Sequence, residues 1–434
     1  MQTPDYSLTT LANGLPLIRI PMKSVGSVTA LVLTNTGSRY ETPEQAGIAH
    51  FFEHIVFKGT ARFPTALDLS SAVDAIGAEF NAFTSKEYTG YYVKSASKHL
   101  TTSLDVLSDM LLEPAIRQED IDREKGVIIE EINMYKDNPM AQVGMLFDQL
   151  FFADYGLKHD IVGTRETVSS IDSAAFEHFL GKWYSRQNMV LVLAGDADVL
   201  QAQETVDLAE KMFSKVPKIT RAEEKVAVEK SFGTTPISND YLWVEEKKTE
   251  QAHLVMGWPG IKRASDDRSA LSLLAVALGG NMSSRLFTEV REKRGLCYYV
   301  RSEADYYHDT GVVGASAGVD PKRVVEAVKV IKEECMAIAT GARPITADEL
   351  SRAKEYVSGM TVLSLEDSES VAQYFGSKQL LMGVIETPAE ALAKIQATTL
   401  EQVNMLAKRI FSQKMKLAVI GPFGDKKIFE EFVQ

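Results

Sequence analysis

Cysteine and long apolar runs are nearly absent from this 434-residue sequence. Its only cysteines, Cys297 and Cys335, cannot supply a framework of several disulfides or a zinc site made of several thiolates. Any metal site must therefore be built from histidines and carboxylates. No segment reaches the roughly 18 consecutive apolar residues that a membrane-spanning helix needs, so we expect no contact with a membrane through such a helix.

The sequence also lacks an excess of basic residues. Its formal net charge is -12, and no stripe of clustered Lys and Arg is visible, which argues against nucleic-acid binding because phosphate neutralisation requires such clusters. The N-terminal segment has neither the basic start and apolar core of a signal peptide nor an Arg- and Ser-rich amphipathic stretch. We therefore expect a cytoplasmic protein.

The order of predicted elements repeats about halfway along the chain. In the first half, the patterns predict strands at 17–20 and 27–34, helices at 46–57 and 66–76, a hairpin at 80–95, helices at 99–112, 119–135, 140–152 and 174–183, a strand at 189–194 and a helix at 199–213. In the second half they predict a strand at 253–258, helices at 268–278 and 283–292, a hairpin at 298–318 and helices from 323 onward.

This repetition predicts an α+β protein with two duplicated domains. Each domain should be a mostly antiparallel sheet with helices packed on one face, because the hairpins favour antiparallel pairing. The stretch 217–238 is polar, rich in charge and without hydrophobic periodicity, which is typical of a linker. We therefore expect an N-terminal domain at 1–216 and a homologous C-terminal domain at 239–434.

The segment Gly47–Thr60, GIAHFFEHIVFKGT, contains two histidines four residues apart on a predicted helix. At about 100° per residue, His50 and His54 project within about 40° of each other, so both can bind one ion. Glu53 flanks the same face and can reach a metal-bound water without being a ligand. A catalytic zinc keeps three protein ligands and an open position for water, so one more ligand must come from elsewhere in the chain.

The helix predicted at 119–135 offers two candidates for that ligand. Glu124 and Glu131 are seven residues apart and therefore lie on nearly the same face of this helix. Both can point into one site, and helical spacing alone does not choose between them.

Together these residues resemble the H-x-x-E-H peptidases called inverzincins, family M16, to which pitrilysin, insulin-degrading enzyme and mitochondrial processing peptidase belong. The spacing of Glu124 and Glu131 behind the motif is similar to the spacing in that family. The resemblance implies the LuxS/M16-type metalloenzyme fold and one Zn²⁺ per chain, held by His50, His54 and Glu131. It further implies that Glu53 is the general base and that Glu124 orients Glu131 or a histidine.

Two further segments resemble the same family. Asn81 and Ala82, in the run NAFT, match the edge strand along which an extended substrate pairs with the main chain. Arg291 and Tyr298, in SRLFTEVREKRGLCYYV, match a pair that contacts the substrate and the carbonyl oxygen under attack. The alternatives without a catalytic role are a turn or strand-end residue at Asn81, and a surface ion pair and a packed aromatic ring at Arg291 and Tyr298.

The resemblance covers nearly the whole chain, whose length suits the short bacterial members. The sequence has only Gly279-Gly280-Asn281 where the noncatalytic processing subunit carries a long glycine-rich loop, and it keeps the ligands that respiratory-complex core subunits tend to lose. Members enclose their substrate in a chamber of four such α+β units, whereas this chain supplies two. The resemblance thus implies a homodimeric zinc metalloendopeptidase for short or unfolded peptides.

Two alternative functions stay open on the sequence. One is a catalytic processing-peptidase subunit that needs a different partner chain. The other is a noncatalytic structural subunit of the respiratory-complex core type.

Overall fold

The computed structural model describes residues 5–153, 156–218 and 237–433, and these form two compact units. The first unit contains the described residues of 1–132, 159–231 and 362–388; the second contains those of 133–158, 232–361 and 389–434. Most of the predicted linker, residues 219–236, lies outside the described residues.

Each unit is built around one β-sheet. The strands of the described residues are β1 (Ser7–Thr10), β2 (Pro16–Met22), β3 (Ser27–Thr34), β4 (Glu79–Thr84), β5 (Thr89–Ala96), β6 (Met189–Asp196), β7 (Leu242–Glu246), β8 (Ala252–Pro259), β9 (Cys297–Tyr306), β10 (Gly311–Val319) and β11 (Lys416–Gly421). The strand order is β1-β2-β6-β3-β5-β4 in the first sheet and β7-β11-β8-β10-β9 in the second.

The two sheets share one topology. The strand of each sheet that comes last in the sequence is β6 in the first sheet and β11 in the second. It lies between a parallel neighbour (β2 or β7) and an antiparallel neighbour (β3 or β8). A hairpin then continues the sheet outward through β5 and β4, or through β10 and β9. All other neighbouring strands are antiparallel, and in the described residues β1 is the one strand without a counterpart in the second sheet. The predicted duplication and the mostly antiparallel α+β class are therefore confirmed.

Helices cover these sheets. Those of the described residues are α1 (Ile48–Ile55), α2 (Ala66–Asp74), α3 (Leu100–Leu112), α4 (Gln118–Asp137), α5 (Pro139–Phe151), α6 (Arg165–Ser170), α7 (Ser173–Trp183), α8 (Ala197–Gln201), α9 (Gln203–Met212), α10 (Arg268–Ala275), α11 (Val324–Ala339), α12 (Ala347–Ser364), α13 (Ser368–Met382), α14 (Pro388–Ala397), α15 (Leu400–Phe411) and α16 (Lys427–Glu430). None of them combines the length and apolarity needed to cross a membrane.

Three predicted helices contain a break or a π-helical segment. The helix predicted at 268–278 ends in a π-helical segment, Val276–Gly280. The helix predicted at 199–213 is divided into α8 and α9 because Ala202 adopts an extended conformation. The helix predicted at 283–292 contains a π-helical segment, Phe287–Glu292. Periodicity detects a buried face but not such a local change in backbone hydrogen bonding.

Two helices are exchanged between the halves of the sequence. Helix α5 belongs to the first half but lies in the second unit, and α13 belongs to the second half but lies in the first unit. Helix α5 packs on the second sheet, against a cluster that includes Ala418 and Ile420. Helix α13 packs on the first sheet, where a Cβ at Gly376 would lie 2.8 Å from a methyl carbon of Leu33. The other face of the second sheet is covered by α10, α11 and α15. The two units therefore differ from the predicted contiguous domains, 1–216 and 239–434, by the exchange of these two helices.

Helix α1, which carries the histidine motif, is fixed at its first turn. Its N-cap residue, Gly47, has a φ of 94°, and a Cβ there would lie 2.8 Å from the carbonyl oxygen of Val162. The carboxylate of the buried residue Glu41 accepts hydrogen bonds from the backbone N–H groups of Gly47 (2.7 Å) and Ala49 (2.9 Å). Glu41 therefore satisfies two of the amides that the start of a helix leaves without intrahelical partners.

The buried carboxyl group of Glu41 should make stability depend on pH. Burial raises the pKa of Glu41 to about 7, although the two amides and Lys86 lower it. Because the folded state holds this proton more tightly than the unfolded state, the carboxyl group adds stability that is fully present below its ordinary pKa. That stability is lost as the pH rises through about 7. We therefore expect the melting temperature of the wild type, relative to that of Glu41→Gln, to fall between about pH 5 and pH 8. The exposed Glu44→Gln variant is the control, and a difference from Glu41→Gln that is constant with pH would contradict the assignment.

Candidate metal centre

Helices α1 and α4 bring three potential metal ligands together. The Nε2 atoms of His50 and His54 each lie 3.5 Å from Oε2 of Glu131. One ligand atom from each residue lies within 4.8 Å of the other two. Around a tetrahedral zinc ion with bonds of about 2.0–2.1 Å, ligand atoms are about 3.4 Å apart. The two distances between a histidine and the carboxylate are therefore close to those that one zinc ion requires.

The group is partly buried and is distinctive in this structure. The side chain of His50 is 9% exposed, and those of His54 and Glu131 are each 22% exposed, so a water molecule or a substrate can approach. In the described part of the chain, no other group of three or more His, Cys, Asp or Glu side chains is close enough to hold a metal ion. The core side of α1 is occupied by the fully buried rings of Phe51 and Phe52.

Glu124 contacts His54 on the side of the ring that faces away from Glu131. Its Oε1 is 2.9 Å from Nδ1 of His54, and its Oε2 is 2.6 Å from Nζ of Lys58. With Nδ1 protonated, His54 donates to Glu124, so Nε2, which faces Glu131, is the ring nitrogen that would lose its proton to bind a metal ion. Of the two glutamates between which spacing does not choose, Glu131 faces both Nε2 atoms and Glu124 faces the opposite side of one imidazole.

The carboxylates favour a positive charge at this point. Hydrogen bonds from His50 and His54 hold the pKa of Glu131 far below its ordinary value. Burial lowers the pKa of His54, but hydrogen bonds to Glu124 and Glu131 and their negative charges outweigh burial and raise that pKa to about 9. The same negative potential favours a divalent cation between the three side chains.

Glu53 is held beside this group by strand β4. Oγ1 of Thr84 donates a hydrogen bond of 2.6 Å to Oε2 of Glu53. Thr84 is the last residue of β4 and belongs to the run NAFT, from which sequence reasoning selected only Asn81 and Ala82. The contacts made by Thr84, Lys58 and Glu41 were all missed, and no local pattern in the sequence signals them.

Asn81 and Ala82 lie on an edge strand. Among the described residues, strand β4 is the outermost strand of the first sheet and pairs only with β5. The side-chain Oδ1 of Asn81 accepts a hydrogen bond of 2.9 Å from the backbone N–H of Ala82. Asn81 lies inside the strand Glu79–Thr84 and so is neither a turn residue nor a strand-end residue, and Ala82 is nearly buried, at 7% exposure.

Arg291 and Tyr298 lie close together in the second unit, whereas the three potential ligands belong to the first. The guanidinium carbon of Arg291 lies 5.5 Å from the ring centroid of Tyr298 and 4.8 Å from that of Phe287. Tyr298 is 74% exposed, which does not fit the alternative of a packed aromatic side chain. The two side chains form a cation–π pair at the start of the edge strand β9.

Comparisons with known proteins cover nearly the whole chain. Residues 21–165 match the family described as "Insulinase (Peptidase family M16)", and residues 170–357 match "Peptidase M16 inactive domain". A protein from Streptomyces coelicolor named as an uncharacterized zinc protease is 38% identical over 96% of this chain and 90% of its own length. A protein from Bacillus subtilis with the same description is 35% identical over 96% of this chain and 98% of its own length.

Two solved structures have the same fold. The crystal structure of a protease from Helicobacter pylori superposes with a TM-score of 0.86 at 21% identity, over 97% of this chain and all of that chain. A Pseudomonas fluorescens structure described as a peptidase M16 inactive domain gives a TM-score of 0.84 at 19% identity, over 98% of this chain and 99% of that one. At these identities, the likeness supports the fold assignment only.

Loss of one carboxylate should remove the metal from this site. We expect Glu131→Ala to weaken zinc binding by at least about 100-fold, because only two of three ligands remain. The matched control is Glu130→Ala, which removes the exposed neighbouring carboxylate on α4 and should keep the metal. Elemental analysis after dialysis against a chelator measures both, and full zinc content in Glu131→Ala would place the third ligand elsewhere.

Proposed function

This chain belongs to peptidase family M16, and on that premise we propose that it is a zinc-dependent endopeptidase that cleaves short or unfolded peptides. The observation that carries the proposal is the convergence of the His50 and His54 Nε2 atoms on the Glu131 carboxylate, with Glu53 on the same helical turn. Relatives over nearly the full length of the chain are named zinc proteases, which supports the same metal and reaction.

One zinc ion per chain would be held by Nε2 of both histidines and by Glu131. When bound, such an ion lowers the pKa of a water molecule toward about 7 and polarises the scissile carbonyl group. Glu53 accepts the proton of the attacking water and transfers it to the leaving amine. Thr84 holds one oxygen of that carboxylate, so the other oxygen remains available for the proton. Glu124 fixes the orientation of the His54 ring.

The edge strand β4 suits an extended peptide. A substrate that adds to β4 would form main-chain hydrogen bonds near Asn81 and Ala82, and such recognition requires an unfolded segment. The same strand ends at Thr84, which contacts Glu53, so peptide pairing and the general base share one structural element. Donors on Arg291 and Tyr298 would stabilise the negative charge that develops on the carbonyl oxygen.

We propose further that the active form is a homodimer with a composite active site. The zinc-binding unit of one subunit would use Arg291 and Tyr298 of a second copy. This arrangement needs no different partner chain, and the complete ligand set argues against a purely structural subunit.

Removing the general base should separate catalysis from metal binding. We expect Glu53→Gln to lower kcat by at least about 100-fold, because the amide cannot accept the proton from water. The zinc content should stay at that of the wild type, because Glu53 is outside the three-ligand group. Hydrolysis of an unstructured oligopeptide and metal analysis of the same preparation measure both quantities. Wild-type activity in the variant would refute the assigned role.

A mixing experiment tests the composite site. Glu53→Gln and Arg291→Ala should each be nearly inactive alone. After subunit exchange of an equal mixture, half of the dimers would be mixed and each would contain one intact site, so about one quarter of wild-type activity should return.

The control mixture combines Glu53→Gln with Glu131→Ala. Both defects lie in the zinc-binding unit, so every site in a mixed dimer is defective and activity should not return. Native mass spectrometry of isotope-labelled subunits verifies exchange. If exchange occurs and the Glu53→Gln and Arg291→Ala mixture stays inactive, the shared site is refuted while the peptidase assignment stands.

A further inference from the structure

Lys58 is an additional element of the candidate metal centre, four residues after His54 and just beyond the end of α1. Its Nζ lies 2.6 Å from Oε2 of Glu124, whose other oxygen contacts Nδ1 of His54. The side chain of Glu124 is only 6% exposed, and that of Lys58 is 30% exposed. Each oxygen of a buried carboxylate therefore has one fixed partner, and Lys58 is one of the two.

The backbone of Lys58 is also held from the direction of α4. Nη2 of Arg117, the residue before α4, donates a hydrogen bond of 2.9 Å to the carbonyl oxygen of Lys58. Nη1 of Arg117 donates to the carbonyl oxygen of Pro64 (2.6 Å), and its Nε pairs with Asp120 (2.6 Å). Lys58 is thus connected to the α4 segment twice, through its side chain to Glu124 and through its carbonyl group to Arg117.

These two connections bear on the metal because the ligands come from two helices. Helix α1 supplies His50 and His54, and α4 supplies Glu131. Their separation depends on how α1 and α4 are held against each other, and ligands already held at the correct separation bind an ion more tightly than ligands that must be ordered. Glu124 contributes to the same end only while its carboxylate is oriented toward the His54 ring.

We propose that Lys58 is a positioning residue for the metal centre, which increases zinc affinity by orienting Glu124 and by joining α1 to α4. The proposal rests on the proposed zinc function. The proposal and simple charge repulsion predict opposite effects of Lys58 on zinc affinity. Repulsion alone would lower the affinity, because an ammonium group near a dication disfavours the dication. Removing Lys58 should strengthen zinc binding if charge dominates and weaken it if positioning dominates.

The decisive variant is Lys58→Met, which keeps most of the side-chain volume and removes the ammonium group. We expect the Kd for zinc to rise about tenfold, at the lower end of the range found when an outer partner of a metal ligand is removed. The measurement is competition between the metal-free full-length chain and a chromophoric chelator at fixed pH, so it does not depend on catalysis. An unchanged or lower Kd would overturn the proposal.

Two controls define the cause. Lys58→Arg retains a cationic donor and should bind zinc within about threefold of the wild type. Lys125→Met removes an equal charge one residue after Glu124, where the lysine pairs with Asp122 rather than with Glu124, and should leave zinc affinity unchanged. An equal loss in Lys125→Met would overturn the proposal, because the loss would then not depend on the contact between Lys58 and Glu124.

A second variant covers the case in which Lys58→Met does not fold, which circular dichroism and the melting temperature would reveal. Arg117→Lys keeps a positive charge near Asp120 but has one nitrogen in place of the three that reach Asp120, Pro64 and Lys58, and it should also weaken zinc binding. Unchanged affinity there would overturn the proposal. The failure of the proposed function is distinguishable, since in that case the wild type itself would not bind stoichiometric zinc.

Discussion

The structure of the site depends on one carboxylate, that of Glu131, facing two imidazole rings from another helix. Both Nε2 atoms lie 3.5 Å from its Oε2, although Glu131 follows the histidines by more than seventy residues in the sequence. Three electron-rich atoms at this separation favour a cation, which offsets both their mutual repulsion and the desolvation that partial burial imposes. The surrounding sheet and helices must therefore hold α1 and α4 in one arrangement.

Several contacts fix the motif helix from different directions. Glu41 holds its first turn, Lys58 connects the segment beyond its last turn to α4, and Thr84 contacts Glu53 from the edge strand. None of these three side chains belongs to the three-ligand group. In the proposed mechanism their common effect would be preorganisation, because a general base and metal ligands act only within a narrow range of geometry.

The exchange of α5 and α13 links the two halves of the chain physically. The apolar face of the first sheet that includes Leu31 and Val192 is covered by a helix from the second half of the sequence. A chain cut at the predicted linker would leave this face exposed to water, which is unfavourable for a cluster of this size. Each half of the sequence therefore supplies one helix to the core of the unit that is formed mainly by the other half.

The sequence by itself determined the features that follow from local periodicity. These are the order of strands and helices, the duplication, and the shared helical face of His50 and His54, because positions four apart on a helix are neighbours in any fold. Only the tertiary structure decided that Glu131 rather than Glu124 faces both imidazoles, that Lys58 and Thr84 act as partners, and that α5 and α13 exchange units. An apolar pattern states that a face is buried but not what buries it, and contacts between distant segments depend on how whole elements pack.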